Sequence, residues 1–228
     1  MKPDLIVKAE EIIGKSDAGY FTVIQPDGFP ETAARSNIRP DGIRGCFFAT
    51  GTSGAMAAAL RENGKASVCF RNDGDNVTLT GHARIISEKK IKEDLWQDWF
   101  INHFPGGLED QEYTVVRFDT FRVSLWVDRK QEHFTLDQIL KPQSRCGLFC
   151  DFCSFAETHN CGGCIKTEGN PFYGSCPIAR CCQDRGYEHC GMCPEMPCSL
   201  LKEYSCGEGE HCDNPKGARL EILRKWTQ

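Results

Sequence analysis

The residues best able to do chemistry are cysteines, and they are unevenly placed. Thirteen of fifteen fall within Cys146–Cys212, whereas the preceding stretch holds only Cys46 and Cys69. The order is Cys146-x3-Cys150-x2-Cys153, Cys161-Gly-Gly-Cys164, Cys176, Cys181-Cys182, Cys190-Gly-Met-Cys193, Cys198, Cys206 and Cys212. Two pairs of the form C-x2-C with glycine between let two thiolates reach one ion while backbone N–H groups turn toward the sulfurs. A segment this small buries too little apolar surface to stand unaided, so cross-links or metal must hold it. The odd cysteine total sits poorly with a fully bridged framework, and in a reducing compartment clustered thiols are metal ligands more often than disulfides. We therefore expect Cys146, Cys150, Cys153, Cys161, Cys164, Cys176, Cys181, Cys182, Cys190, Cys193 and Cys198 to hold metal, with His159, His189 and His211 in reserve. Zinc is the expected ion, and an iron–sulfur cluster is the alternative for a pure thiolate set. The spacing does not fix which cysteines share an ion.

Little else in the chain points to a reaction. No paired carboxylates, Ser-His-Asp order or phosphate-binding Walker loop stands out. Cys46 and Cys69 lie in apolar runs, where a lone cysteine is a small hydrophobe. His82, His103 and His133 have no ligand at metal spacing and read as surface or core residues. The net charge of -5 and pI near 5.7 give no general attraction to nucleic acid or an anionic membrane. The only apolar run near the start is Leu5-Ile6-Val7, too short for a signal core or a membrane span. A cytoplasmic protein is expected.

The elements that must position these groups change character near residue 130. Leu5, Ala9, Ile12 and Ile13 recur at helical spacing, so residues 3–15 form an amphipathic helix. Tyr20–Ile24 and Glu31–Asn37 make a hairpin across Pro26-Asp27-Gly28. Gly45–Thr50 is a strand, and Ala55–Asn63 a short helix stopped by Gly64. Strands 66–71 and 77–86 pair across Asn72-Asp73-Gly74-Asp75, with Gly81 a bulge or close-approach point. Ser87 caps a helix from Glu88 to about His103 that buries Ile91, Leu95, Trp99 and Ile101. Strands Tyr113–Phe118 and Arg122–Val127 complete the set. Six or seven short strands with interspersed helices predict a mainly β, α+β domain built as a small barrel over residues 1–130. Polar residues 131–145 read as a linker with one short helix, and 146–228 as an irregular cysteine-rich domain held by metal. Its last helix, 216–228, can dock through Leu220, Ile222, Leu223 and Trp226.

In element order the first domain resembles the FMN-binding split barrels related to pyridoxamine-phosphate oxidase, including general stress proteins. The residues that carry the resemblance are Glu31-Thr32-Ala33-Ala34-Arg35, Phe48-Ala49-Thr50 leading into Ser53–Asn63, and Val77–Ala83. It implies a flavin phosphate held by the second-strand arginine and by hydroxyls before the short helix, at the interface of a homodimer. Helix N-termini and arginine both suit phosphate. On that basis Arg35, Asn37, Thr50, Thr52 and Ser53 are the flavin-contact residues. Where the family carries Ser-x-Lys, this chain has Gly54 and Met56, so a point charge is missing.

The segment from Cys146 to about Cys198 also resembles a cysteine-rich family of unknown function with a CGLxCxxC opening, a CxGC pair and a closing CxxCPxxPC, here Cys190–Cys198. The opening spacing occurs in radical-SAM enzymes too, but only 75 residues follow Cys153, too few for their barrel. The function expected is an FMN oxidoreductase acting on an unidentified small molecule or electron-transfer partner. The alternatives are a non-enzymatic flavin or metal sensor or interaction protein, and a thiol-based redox or heavy-metal buffer using Cys181-Cys182.

Overall fold

The long strand that ends the first domain explains its architecture. In the computed structural model, which describes residues 3–150, 153–209, 212, 213 and 215–227, helix α1 (Pro3–Lys15) precedes β1 (Ala18–Ile24), β2 (Pro30–Ser36), β3 (Arg39–Pro40) and β4 (Gly45–Gly51). Then come α2 (Ala55–Glu62), β5 (Lys65–Asn72), β6 (Asp75–Ile86), α3 (Lys89–Leu95), β7 (Tyr113–Val127) and β8 (Lys130–Thr135). The antiparallel sheet runs β2-β1-β5-β6-β7-β4-β3. One edge of β7 pairs with β6 throughout, while the other pairs with β4 through residues 113–119 and with β8 through 122–127. One strand thus serves two partners on the same edge, and the sheet curls into a split half-barrel.

Two glycines allow β7 to bend between those partners. The β6–β7 register slips at Thr80/Gly81, leaving Phe121 as the extra residue of a bulge. A Cβ on Gly81 would lie 2.0 Å from the Asp119 carbonyl oxygen, and one on Gly45, at φ +152°, 2.0 Å from that of Phe118. Only a hydrogen fits there on either side of the bend. Gly81→Ala should therefore lower stability by about 2 kcal/mol, the usual scale of overpacking, and a urea midpoint equal to wild type would refute the close approach.

Alternation supplies the core. Phe21 and Val23 of β1 face inward, and the Phe21 ring meets Phe48 at 4.9 Å and Phe118 edge-on at 6.1 Å. A second cluster gathers Ile86, Leu95, Phe100, Phe104, Tyr113 and Val115.

Several expectations need correction. The helix expected over 88–103 stops at Leu95, with Glu88 rather than Ser87 at its N-cap, and a 3-10 turn follows over Asp98–Asn102. Continuing the helix would have buried Trp99 and Ile101, which are exposed; the break brings Phe100 and Phe104 inward instead. Trp96 packs edge-on against Tyr113 at 5.0 Å and Phe100 at 5.5 Å. Aromatic packing of this kind outweighs two turns of helix. The two last strands are one, since Asp119–Phe121 is a bulge and not a turn. Gly64 is no left-handed helix stop: Asn63 turns extended, and its Oδ1 accepts the Lys65 N–H at 3.0 Å. Residues 130–135, within and beside the stretch read as linker, form β8. Its single buried side chain, Phe134, leaves almost no apolar alternation to read.

Residues Ala9–Leu136 form one compact unit, and the segment from Asp137 onward, with the first turns of α1, the other. After β8 the described residues contain only helical elements: α4 (Leu136–Leu140), α5 (Ser154–Thr158), α6 (Gly163–Lys166), α7 (Pro177–Asp184), a 3-10 turn at Cys190–Met192, α8 (Ser199–Cys206) and α9 (Ala218–Trp226). As expected, α9 buries Leu220, Ile222, Leu223 and Trp226. The Trp226 indole donates to the Ile139 carbonyl at 2.7 Å, and its ring meets Phe149 and His189. Among the described residues no helix is long and apolar enough to cross a membrane.

Candidate functional site

Within the barrel, β2 approaches β4, and a groove opens between them in two adjoining compartments. The larger, of about 350 Å³, has Ala34, Arg35 and Ser36 on one side and Ala49, Thr50 and Gly51 on the other. Trp99, Phe100, His103 and Phe104 form its third wall. The smaller, of about 90 Å³, is bordered by Glu31, Ala33 and Arg35, which strand alternation places on one face of β2, and by Thr50 and Met56. Arg35 and Thr50 belong to both. Thr50 is nearly buried, and the half-buried Arg35 spends one N–H on the Ala34 carbonyl at 2.9 Å, keeping other donors for a ligand.

The other three residues expected to contact flavin lie outside this groove. The Asn37 amide donates to the carbonyls of Ile13 at 3.0 Å and Ser16 at 3.3 Å, tying the end of β2 to the end of α1. Thr52 and Ser53 are held by Glu112. Its carboxylate accepts the Ser53 N–H at 3.0 Å and hydroxyl at 2.7 Å, and its carbonyl accepts the Thr52 N–H at 2.9 Å. An acidic side chain thus occupies the donors ahead of α2 that an external anion would use. Met56, where the resemblance calls for lysine, is buried against the small compartment.

The Ser53 N–H and then its hydroxyl hold the Glu112 carboxyl below its ordinary 4.5. A depressed carboxylate favours the folded loop above the ordinary value and loses that contribution as pH falls through the lowered one. The Ser53 amide resonance should therefore titrate below pH 4.5 in wild type. In Glu112→Gln that step should vanish; an unchanged titration would mean the contact does not form.

Sequence reasoning missed the aromatic wall. Its signal was the density of rings in Trp99–Phe104, obscured by fitting one helix through them. Trp99 stands edge-on to Phe100 at 4.5 Å and is 45% exposed, a ring available for a planar ligand. His103 also borders the groove, whereas His133 meets Ser124 at the surface.

None of the thirteen cysteines of the second unit, nor Cys46 or Cys69, is in a disulfide. Burial, with Cys164 and other neighbouring thiols adding to it, pushes Cys150 up to about 12. Burial likewise lifts Cys164 to about 11, against the Arg145 N–H that donates to its sulfur at 3.3 Å. Electrostatic interactions link Cys150 with Cys146, Cys153, Cys161 and Cys164, and Cys164 with Cys146 and Cys176, so these six lie in one neighbourhood. Cys181, Cys182, Cys190, Cys193 and Cys198 border a different small cavity. Among the described residues no three of His, Cys, Asp and Glu already stand in ion-holding geometry. Of the reserve ligands, His189 is buried against Trp226 and His159 packs between Phe155 and Phe172. His211, like Asp151 and Phe152 inside the opening triplet, lies outside the described residues.

Residues 7–144 match the sequence profile of a family described as pyridoxamine 5'-phosphate oxidase like, and residues 142–203 that of a family described as a protein of unknown function, DUF3795. A Clostridium acetobutylicum protein related to general stress protein 26 of B. subtilis, of the pyridoxinephosphate oxidase family, superposes with a TM-score of 0.56 at 24% identity, over 60% of this chain and 98% of its own. General stress protein 26 from Bacillus anthracis gives 0.50 at 19% identity, over 58% and 98%. Both likenesses establish the split-barrel fold. No curated protein matches.

Proposed function

Because this chain belongs to the pyridoxamine 5'-phosphate oxidase-like family, we propose that its barrel binds FMN between β2 and β4 and works as a flavin-dependent oxidoreductase. The observation that carries this reading is the convergence of Arg35 and Thr50 with the aromatic wall in one groove. The groove lies in the size range of small-molecule sites when its two compartments are taken together. Arg35 is the group suited to the phosphate, through a bidentate charge-assisted contact, with the Thr50 hydroxyl beside it. Trp99, Phe100 and Phe104 give the ring system an apolar face and keep water from it. FMN, when bound, supplies the hydride or electron transfer, and the protein contributes binding and orientation. A second copy across the exposed β2 would close the open side, so the working form is a homodimer. The reaction partner is a small-molecule or protein electron donor or acceptor.

The boundary near residue 130–145 then separates a flavin domain, which includes β8, from a cysteine-rich module. We read that module as metal-binding, with zinc the proposed ion and its first ligands drawn from Cys146, Cys150, Cys153, Cys161, Cys164 and Cys176. A module that holds metal through thiolates suits a reducing compartment, and the cytoplasm is the proposed location.

A second reading, a sensor that binds without catalysis, is favoured by Glu112 seated on Ser53 and by Met56 in place of a lysine. Both features weaken phosphate binding without closing the groove. FMN titration followed by flavin fluorescence decides whether the groove binds. Saturable binding, followed by flavin reduction with nicotinamide donors, supports the oxidoreductase. Binding with no reduction by any donor favours the sensor, and absence of binding overturns the flavin reading.

A further inference from the structure

The cavity in the cysteine module adjoins the neighbourhood around Cys146, since the Cys190 N–H donates to the Arg145 carbonyl at 2.8 Å. It is bordered by five thiols drawn from three places: Cys181 and Cys182 on α7, Cys190 and Cys193 on the 3-10 turn, and Cys198 at the N-cap of α8. Its volume, about 30 Å³, admits a guest of roughly one or two atoms. Such a space lined by sulfur selects soft or borderline cations over hard ones such as Mg²⁺.

We propose that Cys182, Cys190, Cys193 and Cys198 hold one thiophilic divalent cation in this cavity, a centre distinct from that of Cys146. The inference rests on reading the module as metal-binding. Cys182 is the member of the α7 pair that is buried, and its thiol donates at 3.3 Å to the carbonyl of Tyr187, which also borders the cavity. The backbone already has the form such a ligand set needs. Cys193 N–H donates to the Cys190 carbonyl at 3.1 Å, so the Gly191-Met192 link is a tight turn that brings the two cysteines close in the chain path. Cys198 sits at the N-cap of an eight-residue helix and makes no side-chain capping bond. The Arg185 guanidinium reaches Cys193 Sγ at 3.8 Å and Glu195 at 2.9 Å, and partly offsets the negative charge of a four-thiolate set.

Cys182 and Cys190 already lie within side-chain hydrogen-bond reach, but among the described residues no three of the sulfurs stand in ion-holding geometry. A staggered χ1 step moves a cysteine sulfur by about 3 Å, enough to reach it. Ion binding supplies the driving force, and each ligating thiol gives up its proton to solvent. No oxidation or reduction is involved.

The test loads the full chain with Zn²⁺, removes excess ion, and counts zinc per chain. Wild type should retain two equivalents, Cys190→Ser/Cys198→Ser and Cys182→Ser one each, and Cys181→Ser both. Cadmium NMR of the wild-type chain, which needs no variant to fold, should show two signals in the thiolate range. Zinc bound by wild type but undiminished in the Cys190/Cys198 variant, or a single cadmium signal, overturns this centre while the metal-module reading survives. No zinc bound at all overturns the module reading itself.

Discussion

Replacing Arg35 by alanine should weaken FMN binding about 100-fold, equivalent to roughly 3 kcal/mol, the worth of two hydrogen bonds to a charged group. Arg35 is the cation that both compartments share, and the structure offers little to replace it. The position that the resemblance assigns to lysine is the buried Met56, the Ser53 donors are taken by Glu112, and Glu31 adds negative charge to the small compartment. Arg35→Lys keeps the charge but loses the planar fork, so it should recover part of the affinity. Asn37→Ala is the contrasting variant. Its amide serves the α1–β2 junction, so it should lower the unfolding midpoint while leaving FMN affinity within twofold. Flavin fluorescence titration reads both, and an Arg35→Ala protein binding as tightly as wild type would remove the groove from the account.

Much of the barrel was legible because local chemistry and tertiary structure agree. The Asn72-Asp73-Gly74-Asp75 hairpin is read from its turn residues, and Asp73 and Gly74 do take the two positive φ values that such a turn needs. Gly81 announced a close approach in the same way. The failures share a cause: the deciding partner is distant in sequence. Asp119–Phe121 reads as a break between strands, and only Gly45 and Gly81, packed from opposite sides, make it a bend within one. Leu95 satisfies a helical period, but whether the helix continues depends on Tyr113, against which Phe100 and Phe104 pack.

The groove divides along the same line. Arg35 and Thr50 are found through strand alternation and a family resemblance, whereas Glu112 meets Ser53 across 59 residues and leaves no local trace. In the cysteine segment the spacing announces thiolate pairs, but only the fold shows which sulfurs border one cavity.

Asp213→Ala should cost the cysteine module about 4 kcal/mol, the scale for removing one partner of a buried ion pair. The Asp213 carboxylate and Arg219 guanidinium are each only 4% exposed and meet at 2.7 Å. The second carboxylate oxygen accepts the Ser205 hydroxyl at 2.6 Å and the Arg219 N–H at 2.9 Å, linking α8 to the first turn of α9. Burial opposes the Arg219 charge, and Cys146 with Asp213 outweighs it, holding the guanidinium above its ordinary value. Without Asp213 that charge stays buried and loses its carboxylate partner. The cost should appear in hydrogen exchange of the α9 amides of the zinc-loaded chain, with barrel amides unaffected. Replacing both partners, Asp213→Leu with Arg219→Met, should recover most of the loss, because an apolar pair carries no desolvation penalty. If Asp213→Ala costs under about 1 kcal/mol, the pair is not desolvated as the structure has it. If instead the double variant is no better than the single, the network's value lies in the Ser205 and backbone contacts and not in the charge.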